Sequence, residues 1–225
     1  MIVVSAILMA LSQHPLGYGF LSFFSIIPII PTLQGLRSYS KAIKYGFIWG
    51  FTYNILTVYW IALNIGTTPA IAFLTMLASV AILLVGPVMI FLVWCMLNKR
   101  GVNLLFLSFV WASVELVRSY GTLGFPWTSI SNSLLEYNNI IQIVEFVGMY
   151  GLTAIIVLIN ILIYYFLVNR TYVSAVSLVA IVVIPILVGT NLKNSYVENN
   201  NKEIRVSVVQ PNIHLSEKWS RGSQS

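Results

Sequence analysis

Two charged residues stand within an otherwise apolar stretch of this sequence, and they are the first candidates for chemistry. Glu115 and Arg118 are three residues apart in the segment WASVELVR, so on a helix they share one face. Ionisable groups at membrane depth are costly, and they usually pair with one another or mark a functional site. Two interpretations follow: a structural ion pair near a membrane boundary, or polar groups that face a cavity for lipid headgroups.

An aromatic loop follows these charges. Gly124, Phe125, Pro126 and Trp127 are consecutive, and Pro126 both lacks a backbone donor and disfavours helical conformation at Phe125. Trp127 is amphipathic and suits the headgroup boundary of a bilayer. The sequence therefore predicts a helix that brings two charges and an aromatic loop to one membrane face.

A second pair of aromatic residues is predicted at the same level. Tyr59 and Trp60 end an apolar segment at the boundary where Trp127 is placed. An aromatic belt explains all three residues. The alternative is an aromatic-walled entry site for lipid.

Other reactive side chains do not form a set in the sequence. All six acidic residues are Glu, and Glu136 and Glu145 have no His, Lys or Cys nearby. Two isolated His residues, His14 and His214, are poor metal ligands, and the single cysteine, Cys95, lies in an apolar run. We expect no metal site, no cofactor and no catalytic residues in this chain.

Composition indicates an integral membrane protein. The 225 residues are 58% hydrophobic and 8% charged, whereas globular domains are about 25% charged. The net charge of +6 comes from Lys and Arg in short connectors, which is typical of membrane topology signals and does not indicate nucleic-acid binding.

Seven apolar segments are predicted, since about 20 residues span a bilayer. They cover residues 2–11, 16–33, 42–63, 69–97, 102–117, 140–168 and 172–189. The first is short, and the fourth is predicted to kink at Gly86-Pro87. Four further glycines are predicted where helices pack closely; they are Gly46, Gly50, Gly148 and Gly151.

Connector charge predicts the topology. The connectors after segments two, four and six contain Arg37, Lys41, Lys44, Lys99, Arg100 and Arg170. The connectors at 12–15 and 64–68 contain no Lys or Arg. The positive-inside rule then places the N-terminus in the cytoplasm, and the 124–127 loop and the C-terminal tail outside.

The sequence changes character near residue 190. We predict a helical membrane domain over 1–190, an Asn-rich polar linker over 191–203 and the start of a second domain over 204–225. Residues 204–210 are mostly β-branched with partial alternation, which predicts one β-strand. A single strand is no domain, so the predicted fold is an all-α transmembrane bundle followed by a strand that opens a truncated domain.

Several motifs, taken in order, resemble the bacterial apolipoprotein N-acyltransferase family. They are the segments at 111–118 and 124–127, then 147–152 followed by Asn160, and finally 206–213 followed by Lys218-Trp219. The helix from Gly46 to Trp60 resembles the family's third span. Each motif alone is modest, and the ordered combination is specific.

The resemblance implies a membrane bundle fused to an extracytoplasmic nitrilase-like α/β domain in the bacterial inner membrane. The family takes an acyl chain from a phospholipid, typically phosphatidylethanolamine, through a cysteine thioester. It then acylates the α-amino group of a diacylglyceryl apolipoprotein. By resemblance, Trp127 and Trp219 would line the lipid path, and Glu115 and Arg118 would shape its polar floor.

The sequence also departs from the family pattern. The Glu-Lys-Cys set of the nitrilase-like domain is missing, so this chain alone is expected to be inactive. After Trp127 the sequence TSISNS replaces the family's usual Gly-Tyr-Ser-like stretch. Two other functions stay open: a stand-alone lipid-binding module that works with a separate nitrilase-like subunit, and a small transporter. Transporters favour mid-membrane charges and related halves, which this sequence does not show.

Overall fold

A computed structural model describes residues 1–195, 205–210 and 212, and residues 1–195 are largely helical. The α-helices are α1 (Ile2–Ser12), α2 (Ile30–Gln34), α3 (Tyr39–Val58), α4 (Pro69–Leu83), α5 (Val85–Lys99), α6 (Leu107–Arg118), α7 (Asn138–Ile141), α8 (Val144–Asn169) and α9 (Tyr172–Ser195). Short 3₁₀ turns connect several of them.

Four helices are long and apolar enough to cross a membrane. They are Tyr39–Leu63 (α3 with the 3₁₀ turn that follows it), Pro69–Lys99 (α4 together with α5), Val144–Asn169 and Tyr172–Ser195, with 25, 31, 26 and 24 residues. They correspond to the predicted segments 42–63, 69–97, 140–168 and 172–189, which are confirmed as helices of spanning length. The chain is therefore a polytopic helical membrane protein.

The other three predicted spans are shorter than expected: four helical segments have spanning length, and the membrane crossing of the remaining three stays a prediction. α1 has 11 residues and α6 has 12, which gives about 17–18 Å against a hydrocarbon core of about 30 Å. Residues 16–33 contain 3₁₀ turns at Gly19–Phe23 and Ile27–Ile29 before α2. Pro28 and Pro31 cannot donate backbone hydrogen bonds, which prevents one continuous helix there.

Two asparagines satisfy the backbone of this broken segment. Asn160 on α8 accepts from the Ile26 N–H at 2.9 Å and donates to the Ser22 carbonyl at 2.8 Å. Asn98 on α5 donates to the carbonyls of Leu33 and Leu36 at 2.9 and 3.0 Å. Irregular backbone at membrane depth is tolerated only where protein groups replace the missing hydrogen bonds.

The predicted kink in the fourth segment is present, with α4 and α5 separated at Leu84. Pro87 has no N–H for the Leu83 carbonyl four residues earlier, so the helix is interrupted there. At Gly46 on α3, a Cβ would lie 2.8 Å from Val88 Cα, and at Gly50 it would lie 2.8 Å from Pro87 Cβ. The predicted close packing at these two glycines is confirmed.

Gly148 has a different role from the one predicted. It adopts φ +67° and ψ 172° at the start of α8, and a Cβ there would meet no atom within 4 Å. This backbone conformation is accessible essentially only to glycine. Gly148 is therefore a turning point of the chain and not a packing contact between helices.

The main core is built around three fully buried tryptophans, Trp49, Trp94 and Trp111. The Trp49 and Trp111 rings lie 5.2 Å apart at 82°, an edge-to-face geometry favoured by aromatic rings. A separate smaller cluster consists of Val58, Met76, Val80 and Leu83, with Phe125 packed against it. This outer cluster lies beside the loop that carries Trp127.

The C-terminal part departs from the prediction of a β-strand. Arg205–Gln210 are exposed and form no strand, because no neighbouring strand within the described residues supplies partners for their backbone groups. Ile204 lies outside those residues. α9 also continues to Ser195, five residues beyond the predicted end of the membrane domain at 190. The domain division itself stays a prediction.

Candidate functional site

The connector between α6 and α7 carries the candidate site. It turns at Gly121, which has φ +82°, a conformation that suits glycine. It then forms 3₁₀ turns at Pro126–Thr128 and Ile130–Leu134. Side chains from α3, α6 and the connector itself hold these turns in place.

Glu115 lies beneath the connector and joins three elements. Only 5% of the residue is exposed. Its Oε1 accepts a hydrogen bond from the Ile130 N–H at 3.0 Å, and its Oε2 accepts one from the Thr153 hydroxyl at 2.8 Å. One carboxylate on α6 therefore fixes both the connector and α8, and each of its oxygens has a partner, as buried polar groups require.

Arg118 does not form an ion pair with Glu115: among the described residues, no carboxylate oxygen lies within 4 Å of its guanidinium. Its Nη1 instead donates to the Thr128 hydroxyl at 2.8 Å. The Tyr53 hydroxyl on α3 donates to the Thr128 carbonyl at 2.7 Å. Thr128, the neighbour of Trp127, is thus held from two sides.

Trp127 is presented at the surface by a fixed backbone. Its side chain is exposed, with 65% of the residue accessible. Its ring lies 6.1 Å from that of Trp60 and 5.5 Å from that of Phe125. The Asn132 side chain donates to the carbonyls of Pro126 and Trp127 at 3.1 and 2.9 Å. The backbone beneath the exposed ring is therefore fixed by hydrogen bonds.

A cavity of about 390 Å³ opens beside these aromatic rings. It is lined by Gln13, His14, Thr57, Val58, Trp60, Phe125, Trp127, Thr128, Asn132 and Leu135. This volume lies within the usual range for small-molecule sites, which combine apolar walls with a few polar groups. The arrangement can hold an apolar chain and contact a polar headgroup at its rim.

The end of α1 closes one side of this cavity. The Gln13 side chain donates to the Ser129 carbonyl at 3.5 Å. His14 Nε2 lies 3.7 Å from Glu136 Oε1, and both side chains are substantially exposed. Such an exposed pair contributes little to stability, but it places a basic and an acidic group together at the rim.

Most of the sequence-predicted site residues come together in space. Trp60, Phe125 and Trp127 line the cavity. Pro126 fixes the turn beneath it, and Gly124 allows a backbone approach to the Ser119 carbonyl that a Cβ would block. Tyr59 is exposed, at 40%, but does not line the cavity, and Trp219 lies outside the described residues.

Sequence reasoning missed four supporting residues: Tyr53, Thr128, Asn132 and Thr153. A threonine in a helix usually bonds to its own helix backbone, so nothing in the sequence distinguishes Thr153 as the partner of Glu115. Asn132 follows the turn that contains Pro126. Asparagine side chains often hydrogen-bond to the backbone of a nearby turn, and this tendency was the available sequence signal for its role. Cys95, the single thiol, is fully buried in the core and does not line the cavity.

Fold and site together define a polytopic helical membrane protein with an aromatic-walled cavity at one end of the bundle. Residues 5–162 match the model of the apolipoprotein N-acyltransferase N-terminal domain, and this match covers most of the chain. The chain therefore belongs to the apolipoprotein N-acyltransferase family, as the resemblance of its motifs indicated.

Curated relatives support this assignment. The apolipoprotein N-acyltransferase of Geobacter metallireducens is 28% identical over 240 residues, covering 100% of this chain and 45% of the relative. The protein of the same name from Thermotoga maritima is 28% identical over 236 residues, covering 98% of this chain and 45% of the relative. That from Rickettsia bellii is 27% identical over 199 residues, covering 84% and 39%. The chain thus spans less than half the length of these relatives.

Proposed function

We propose that this chain is the membrane half of an apolipoprotein N-acyltransferase, and that the cavity beside Trp127 binds the lipid substrates. The reaction would transfer an acyl chain from a membrane phospholipid to the α-amino group of a diacylglyceryl-cysteine on an apolipoprotein. The cavity bounded by Trp60 and Trp127 is the observation that carries the proposal. Its apolar walls suit an acyl chain, and its polar rim suits a headgroup.

The nature of the substrates explains why such an enzyme needs a membrane domain with a shaped binding surface. Both substrates are lipids, so they must approach laterally and be held near a nucleophile in a reactive geometry. The hydrogen bonds to Thr128 and from Asn132 fix the backbone on which Trp127 stands. We infer that Glu115 and Arg118 support lipid binding by positioning the Trp127 loop and the polar floor beneath it.

The chemical step would belong to a nitrilase-like domain. The family's Glu-Lys-Cys set provides a base, an oxyanion-stabilising cation and a thiol nucleophile, which suit acyl transfer. Cys95 cannot replace that thiol because it is fully buried in the core. Residues 1–195 alone are therefore proposed to bind lipid without transferring its acyl chain.

The proposed location is the bacterial inner membrane. The Lys and Arg residues of the connectors favour a cytoplasmic N-terminus, which places the Trp127 cavity on the extracytoplasmic side. This orientation would bring the cavity to the membrane face where a nitrilase-like domain and a secreted lipoprotein substrate meet.

A matched pair of variants tests the role of the cavity. In a full-length context, Trp127→Ala is expected to lower acyl transfer from phospholipid to a synthetic diacylglyceryl lipopeptide by at least about tenfold, since aromatic anchors in pockets contribute strongly to binding. Tyr59→Ala removes another exposed aromatic residue at the same predicted boundary, outside the cavity lining. Equal losses of activity in both variants would favour an aromatic belt and contradict the binding site.

A second candidate is a lipid-binding module that serves a separately encoded nitrilase-like subunit. The favouring observation is that every residue lining the cavity lies between Gln13 and Leu135, within the membrane domain itself. Co-purification of this chain with a nitrilase-like protein from the same cell would support this arrangement. A single polypeptide that contains both halves would exclude it.

A further inference from the structure

A second and larger cavity lies between α5 and α6, on the side of the bundle that faces lipid. Its volume is about 460 Å³. Val85, Met89, Val93 and Leu97, each four residues from the next, form its α5 wall. The facing surface of α6 supplies the other wall, and residues four apart on a helix form a continuous ridge. The result is a straight apolar groove that does not share its walls with the Trp127 cavity.

The dimensions of the groove match one acyl chain in one leaflet. From Val85 to Leu97 the helix rises about 18 Å, and one leaflet contributes about 15 Å of hydrocarbon. Val85 and Phe109, on opposite walls, are 62% and 63% exposed. The groove is therefore open along its side, so a chain can enter laterally from the bilayer.

One end of the groove is charged. Arg118 lines it there, and its stem lies across Gly86, where a Cβ would approach Arg118 Cδ to 3.0 Å. A guanidinium has five N–H donors, and among the described residues it makes one hydrogen bond, from Nη1 to the Thr128 hydroxyl. The remaining donors suit the oxygens of a phosphate, which arginine binds in a bidentate geometry.

We propose that this groove binds a phospholipid, with one acyl chain along α5 and α6 and the phosphate on Arg118. The charge at one end selects a phosphate-bearing lipid over a neutral one. The headgroup then lies beside Thr128 and the Trp127 loop, and the chain points toward Lys99 at the far end of α5. This binding requires only a bilayer, so it does not depend on the proposed acyltransferase function.

Photo-crosslinking of the unmodified full chain tests the position of the lipid. The chain is placed in nanodiscs that contain either phosphatidylglycerol or diacylglycerol, each with the same photoactivatable acyl chain. Crosslinks to phosphatidylglycerol are expected to concentrate in residues 85–97 and 106–117, about tenfold above those to diacylglycerol, because charged hydrogen bonds to phosphate are strong. Crosslinks spread evenly over exposed faces such as that of α4 would indicate annular lipid only and overturn the proposal.

Three variants separate the two parts of the site. Arg118→Gln is expected to abolish the preference for phosphatidylglycerol while leaving crosslinks to the acyl chain. Ser113→Trp fills the groove from an exposed position and is expected to remove crosslinks to both lipids. Thr75→Trp makes a similar change on the exposed face of α4 and should change neither. An unchanged lipid preference in Arg118→Gln would refute the phosphate contact, whatever the folding of Ser113→Trp.

Discussion

The carboxylate of Glu115 offers the sharpest test of how the Trp127 loop is held. Glu115→Ala removes the acceptor for the Ile130 N–H and for the Thr153 hydroxyl. A buried donor left without a partner costs about 1–3 kcal/mol, and the threonine hydroxyl can partly recover by bonding to its own helix. We therefore expect the free energy of unfolding to fall by about 2–4 kcal/mol.

The single cysteine provides the assay. Cys95 is fully buried, so a thiol-reactive dye labels it only when the core opens. When closing is fast, the labelling rate follows the population of the open form. A loss of 2–4 kcal/mol corresponds to labelling about 30- to 1000-fold faster for Glu115→Ala in detergent.

Glu115→Gln is the decisive comparison, because it keeps an acceptor oxygen for Ile130 and removes the negative charge. Thr153 can then accept from the new amide, so we expect labelling to accelerate by less than about tenfold. Glu136→Gln, at an exposed site, controls for loss of a carboxylate and should leave the rate unchanged. Equal acceleration in Glu115→Gln and Glu115→Ala would refute the reasoning, since the charge and not the hydrogen bonds would then stabilise the loop.

The same labelling assay checks further predictions. Gly46→Ala should accelerate labelling by at least about tenfold, because the new Cβ meets the backbone of α5, which cannot move aside as a side chain can. Gly35→Ala, whose Cβ would make only ordinary contacts at 3.7 Å, should have little effect. Gly148→Ala should lower the free energy of unfolding by about 1–3 kcal/mol through backbone strain, despite the open space around it. Unchanged labelling would show that α8 can begin with an ordinary helical turn. Asn160→Leu leaves the Ile26 N–H and the Ser22 carbonyl unpaired and should accelerate labelling by about 30-fold or more, whereas Trp127→Ala at its exposed site should not change labelling.

The sequence was most informative where one local rule decides the structure. Long apolar runs predicted the four long helices, and the missing N–H of Pro87 predicted the interruption at Leu84. Small residues at Gly46 and Gly50 predicted close helix packing, and α3 and α5 approach each other there. Charge and aromatic type also placed Trp60 and Trp127 at one level, and their rings are in fact neighbours.

The sequence was least informative where distant side chains complete the backbone. Residues 16–33 are apolar enough for a span, yet they fold into short turns because Asn160, 134 residues from Ile26, supplies hydrogen bonds that a helix would otherwise provide. Thr153 is 38 residues from Glu115 and lies in an apolar helix, so spacing alone cannot pair them. Local patterns report periodicity and breaks, whereas these contacts depend on the final packing.

The separation of the outer cluster from the main core has a consequence for cooperativity. The outer cluster lies just before the interruption at Leu84 and consists of Val58, Met76, Val80 and Leu83. Phe125 from the Trp127 loop packs against it. Elements with few buried contacts open at lower free energy than the global unfolding reaction, as independent units. We therefore expect the C-terminal half of α4 and the aromatic loop to open as one subglobal unit, whose amides should exchange with solvent earlier than those of α5. Substitutions in this small cluster would alter how often the cavity opens while leaving the stability of the tryptophan core unchanged.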